Sequence, residues 1–367
     1  MDPRVEKVAE VMVNYSVAIQ PGDLVMIHLY EPLAQPLALA VYKRVLEAGG
    51  HVIFRMAPSG ADEVLYKYAS DEQLDVGDPT FKWLMENIDV RIAIRAPSNT
   101  KALSNVDPAK IARVQKANHP AMQAFMERQG TGEMRWVLTQ YPTQASAQDA
   151  EMSLSEYEDF VYGACMVNEP DPVAYWQQKS AEQQRLIDWL KGKEQMQVRG
   201  ENIDLTLSIK DRVFINADGK RNFPDGEIYT GPVEDSVNGW VRFTYPAIYN
   251  SREVNGVELY FENGKVVKAT AEKGEEYLNS VLDTDAGARY LGEFAIGTNT
   301  GIQKFTRNIL FDEKIGGTVH MAVGAGYPNT GSKNESAVHW DMICDMRSGG
   351  EIIVDGELFY KDGEFQV

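Results

Sequence analysis

Two of the chain's five histidines, His320 and His339, bracket a glycine-rich turn in HMAVGAGYPNTGSKNESAVHWDM, and an acid, Asp341, follows the second histidine by two places. In a strand, that spacing turns His339 and Asp341 to one face and leaves Val338, Trp340, Met342 and Cys344 on the other. An imidazole and a carboxylate so placed can hold one divalent ion or share a pair of ions. The same spacing equally serves a hydrogen-bonded His–Asp pair with a structural role. His320 lies opposite Val319, Met321 and Val323, where it can be a metal ligand or a satisfied core histidine. Glu293 sits in LGEFAI, and an ionised carboxylate buried there costs on the order of several kcal/mol unless paired or metal-bound. Its simplest place is therefore the outward face of a half-exposed strand. Glu227 follows the rigid loop NFPDG, which can hold a side chain still or be an ordinary turn. Glu313, in FDEK, reads as surface.

Other chemistries find less support. His28 and His51 fall at strand edges and His119 precedes Pro120, so structural or solvated roles suit all three. Ser98 and Lys101 match S-x-x-K without its companion motifs, and no GxSxG, P-loop or GxGxxG occurs. Gly324 and Gly326 suit a turn passing close to a substrate. Cys165 and Cys344, far apart and outside any CxxC, rule out a thiolate zinc site and a disulfide framework. A net charge of −18 argues against nucleic acid and anionic membrane as partners.

These residues need elements to position them. At 367 residues the chain calls for two domains. In the first half, strands at 23–29, 51–56, 89–96 and 134–141 alternate with amphipathic helices, one of them at 109–128. Such alternation predicts βαβ units and a parallel sheet. From about residue 198 the texture becomes IDLTLSI, RVFINAD, VELYFENGKVVKATAE and EIIVDGELFYKDGEF. Asn263-Gly264 and Asp355-Gly356 there are hairpin turns, and 274–282 is a helix. The expected organisation is an α/β domain over 1–192, including a helical connector at 170–192, and a mainly antiparallel β-rich domain over 193–367. The opening segment is amphipathic and charged, and no apolar run approaches the roughly 18 residues of a membrane span. A cytoplasmic protein is expected.

NFPDGEIYTGP, LGEFAIG, HMAVGAGYPNTG and NESAVHWDM follow one another in this order, and the start RVEKVAEVMVNYSVAIQPGDLVMI precedes them. Together they resemble the aminopeptidase T/aminopeptidase S family of dinuclear metallopeptidases. The resemblance implies that Glu227, Glu293, His320, His339 and Asp341 bind two divalent metal ions per subunit, with zinc, cobalt and manganese all compatible. It also implies that Tyr327 lies near the metals and stabilises the oxyanion of a peptide substrate under attack by activated water. Glu313 is the nearest match to an acid that precedes the first histidine in the family, but KIGGTV makes a longer gap than expected, leaving it as ligand or general base. A homodimer with its sites facing an internal cavity is implied too, the β-rich half carrying the metals. The function expected is a metal-dependent aminopeptidase. A non-catalytic metal- or peptide-binding protein and a carboxylate-pair glycosidase are the alternatives, and the second leaves both histidines without a reason.

Overall fold

The computed structural model describes residues 2–367, and its contacts divide the chain into two units. The first comprises Met1–Trp176 with Gly219–Pro224, the second Gln177–Asp218 with Asp225–Val367.

In the first unit, apolar runs bounded by turns become strands β1 (Leu24–Leu29), β2 (His51–Met56), β3 (Val90–Arg95) and β4 (Arg135–Gln140). Each lies within a residue of its expected bounds. They form a parallel sheet in the order β2-β1-β3-β4, extended by the short strand Asn222–Phe223. Val25, Met26 and Ile27 of β1 are wholly buried, as expected for a sheet covered on both faces. Helix Gln35–Glu47 buries Leu37, Ala40, Val41 and Val45 at helical spacing. The helix predicted at 109–128 runs Pro108–Thr131, starting where the Asp107 carboxylate accepts from the Ala109 amide and ending at Gly132. No helix of the described residues is long and apolar enough to cross a membrane.

The second unit is built on antiparallel sheets. An eight-stranded sheet contains Gln195–Gly200, Ile203–Ser208, Glu258–Glu262, Lys265–Thr270 and the C-terminal strands. Both expected hairpins form: Asn263 and Gly264 adopt φ +48° and +82°, and Asp355 and Gly356 adopt +49° and +84°. Positive φ at both central residues matches the right-handed twist of the flanking strands. A five-stranded sheet contains β5 (Glu227–Thr230), β6 (Leu291–Gly297), β7 (Thr318–Gly324) and β8 (His339–Asp345), in the order β8-β7-β6-β5 with Ile215–Ala217 at the edge. Phe294, Met321 and Trp340 of this sheet share one apolar core with Leu205, Leu259 and Val354 of the larger sheet.

Every residue of β6 and β7 is buried. The half-exposed strand expected around Glu293 is thus corrected, because both faces of β6 are covered.

Candidate metal centre

Pairing register assembles the site on one face of the five-stranded sheet. Glu227 stands opposite Gly297, His320 opposite Ala295, Glu293 and Asp341 both opposite Ala322, and His339 opposite Gly324. Each functional side chain therefore has a glycine or alanine as one partner across the ladder, and His320 has Ile343 as its other. Small neighbours leave the space into which long side chains converge, while Phe294, Val319, Met321 and Trp340 anchor the opposite face.

Glu293 lies at the centre. Its Oε1 is 3.6 Å from His320 Nε2, and its Oε2 is 3.3 Å from His339 Nε2. His320 Nε2 also lies 3.3 Å from Glu227 Oε2, and His339 Nε2 3.5 Å from Asp341 Oδ1. Three donor sets close enough to hold an ion result: Glu227, Glu293 and His320; Glu293, His339 and Asp341; and Glu313, His320 and Asp341. All six residues are brought together. Glu313 is included despite its long sequence gap, and the surface position expected for it is corrected: its side chain is 16% exposed and Lys314 beside it is fully buried.

Sequence reasoning missed Lys314 and Asp225. The Lys314 ammonium lies 3.4 Å from Glu227 and 3.8 Å from Asp225, and it pairs with Glu313. A buried ammonium is tolerable only among compensating acids, and three surround this one. A lysine directly after two acids was a weak signal for that, since DEK is equally common on surfaces. Gln183, also missed, supports β5 by donating to the Glu227 carbonyl at 3.1 Å while accepting from the Thr298 hydroxyl at 2.8 Å.

Electrostatics tie the cluster together. Burial pushes Glu227 up to about 8 against the opposing pull of Lys314. Burial also raises Glu313, although Lys314 opposes it. For His320, burial is outweighed by Glu293 and Glu227, which lift it to about 9; for His339, Asp341 and Glu293 overcome burial and lift it to about 12. Asp341 is held down at about 2, His339 outweighing burial. Five carboxyl groups, counting Asp225, crowd around one lysine and two imidazoles, a donor-rich setting in which divalent ions would replace the protons that Glu227 and the histidines otherwise hold.

The donors themselves fit divalent ions. Glu227 Oε2 is buried without a hydrogen-bond partner, 3.3 Å from His320 Nε2, the imidazole nitrogen that faces the cluster. His339 Nδ1 lies 2.8 Å from the Ala325 carbonyl, which fixes that nitrogen as the donor and leaves Nε2 free to ligate. Oxygen and imidazole donors without thiolate suit zinc, cobalt or manganese.

Tyr327 opens the turn Pro328–Thr330, its ring centroid 5.1 Å from that of His339 and 5.5 Å from that of Tyr229. Tyr327 is 43% exposed, and partial desolvation of its phenol, then Glu293 and Asp341, raise its pKa, so it stays a donor. The glycines of this turn are required by the chain's own packing. A Cβ on Gly324 would lie 2.1 Å from the Val338 carbonyl, and one on Gly326 1.9 Å from Ser332 Oγ. What passes close to them is the chain itself.

A family model described as thermophilic metalloprotease (M29) matches residues 1–365. The chain belongs to that family. Aminopeptidase 2 of Geobacillus stearothermophilus is 29% identical over 404 residues, covering 99% of this chain and 95% of the relative. Aminopeptidase T of Thermus thermophilus is 29% identical over 308 residues, covering 74% of this chain and 73% of its own. The solved structure of wild-type AmpT from Thermus thermophilus superposes with a TM-score of 0.85 at 23% identity, covering 100% of this chain and 99% of that one. The fold expected from the sequence, a parallel α/β part followed by antiparallel sheets, is that of AmpT. Metalloprotease membership implies a divalent metal cofactor and leaves the glycosidase reading without support.

Proposed function

We propose that this chain is a two-metal aminopeptidase that releases the N-terminal residue of peptides. The observation carrying this reading is Glu293, whose two oxygens face two different histidines. Glu227, His320 and Glu293 would hold one ion, and His339, Asp341 and Glu293 the other, with Glu293 shared. When bound, such ions supply Lewis acidity toward the scissile carbonyl and acidify a water into a nucleophile.

The remaining steps fall to the chain's own groups. Tyr327, its hydroxyl kept protonated, donates a hydrogen bond to the oxyanion of the tetrahedral intermediate. Glu313, its carboxyl raised by burial, moves the proton to the leaving amine. The preference for chain ends rests on the aminopeptidase relatives. A homodimer belongs to the same reading, resting on the family resemblance, and a cytoplasmic setting is proposed with it.

Stripping divalent ions with a chelator should abolish release of amino-acid anilides, and adding back zinc, cobalt or manganese should restore it. Full turnover by demonstrably metal-free protein would refute the reading.

A further inference from the structure

The first unit encloses a space that peptide hydrolysis leaves unexplained. A cavity of about 660 Å³ opens on one face of its parallel sheet. Alternating positions supply its floor: His28 and Tyr30 at the end of β1, and Arg91, Ala93 and Arg95 along β3. From β1 the sheet grows to β2 on one side and to β3 on the other. The mouth of the cavity at Tyr30 and Arg95 lies at the carboxyl ends of β1 and β3, the topological switch point where α/β sheets take their ligands, and the cavity runs back from there along the sheet to Arg91 near the start of β3.

Three arginines line this space, and they are not alike. Arg55 is paired with Asp78 at 2.6 Å. Arg91 touches the Tyr30 hydroxyl at 3.0 Å, and its guanidinium carbon lies 5.2 Å from the centre of the Phe125 ring. Neither contact brings a negative charge, and Arg91 Nε is buried without a hydrogen-bond partner. Burial, with Arg95 and Arg55 nearby, lowers the pKa of Arg91 even though Tyr30 opposes the shift. Arg95 lies over the Tyr30 ring at 5.9 Å. His28 stacks on that ring at 4.4 Å, its Nδ1 also buried and unpartnered. An enclosed guanidinium without a counter-charge is costly, and a ligand carboxylate would match its planar fork.

We propose that this cavity binds a small organic carboxylate with an apolar or aromatic body, the carboxylate held by Arg91 and Arg95 and the body among Phe81, Phe125 and Trp136. Charge favours a monoanion. Three arginines against Asp62 and Asp78 leave one positive charge uncompensated, in a chain whose net charge is −18. A carboxylate brings one negative charge, whereas a phosphate monoester brings about −1.5 to −2 at neutral pH.

The test titrates full-length protein, its histidines labelled with nitrogen-15, with phenylacetate, phenylacetamide and phenyl phosphate. The His28 ring resonance is assigned by its loss in His28→Gln. Phenylacetate is expected to shift that resonance saturably with a Kd below about 10 mM, and phenylacetamide to leave it in place. Arg95→Gln, which removes a charge at the cavity mouth, should weaken phenylacetate about tenfold without moving the unfolding midpoint. Arg91→Lys, which keeps the charge and loses the fork, should weaken it as well. The assignment is overturned by the absence of a saturable shift, by equal binding of the amide, by tighter binding of phenyl phosphate, or by unchanged affinity in Arg95→Gln.

Discussion

The Lys314 ammonium, buried against Glu227, Glu313 and Asp225, sets what Glu313 can do. Glu313 faces His320 and Asp341 on one side and this ammonium on the other, a place suited to passing a proton. Glu313→Gln should therefore keep both ions and lose about 100-fold in kcat, the upper part of what one acid–base group contributes being larger still. Loss of an ion with the activity, read by elemental analysis of the same preparation, would make Glu313 a ligand instead. Single residues differ in how far the sequence exposes them. His339 and Asp341 were readable because period two in VHWDM puts them on one face whatever surrounds the strand. Glu293 was not readable from its own segment, since a carboxylate in an apolar strand reads as outward until the cover on both faces of β6 is known, and it entered through the ordered motifs of the family resemblance. Lys314 was hidden for a related reason: its burial depends on acids at 225 and 227, distant in sequence.

At the scale of elements, β5 to β8 act as a unit. Gly297, Ala295, Ala322 and Gly324 stand opposite the ligand-type side chains, so the face alternates between room and donor. Gly324 also adopts φ +101°, and its Cβ would lie 2.1 Å from the Val338 carbonyl. Gly324→Ala should cost about 3 kcal/mol in urea unfolding, from strained backbone plus displacement of β8, and should weaken metal binding because His339 is its register partner. An unchanged urea midpoint would contradict this role. The strands of the first unit and the Asn-Gly and Asp-Gly hairpins were legible, since apolar runs and turn chemistry act locally. The pairing order β8-β7-β6-β5 was not, because register between distant strands is set by packing that a single sequence does not display.

For the molecule as a whole, one contribution to acid stability comes from His28 in the first unit. Burial, then Arg91 and Arg55, depress the His28 pKa from 6.5 to about 3. Between those values the unfolded chain binds a proton that the folded chain refuses, so stability rises with pH there and falls on acidification. From pH 7 to about pH 5, His28 should account for about 2 kcal/mol of lost stability. His28→Gln should lose less by that amount in denaturant unfolding at the two pH values; identical losses would contradict the burial argument.

The central claim is that the second unit holds two divalent ions around Glu293, and metal content measured on wild type and His339→Ala tests it most directly. Two ions per wild-type chain are expected after loading, no more than one in His339→Ala, and loss of anilide hydrolysis together with the missing ion. A wild-type chain that binds no divalent metal, or a His339→Ala variant that keeps both ions and its turnover, would contradict it.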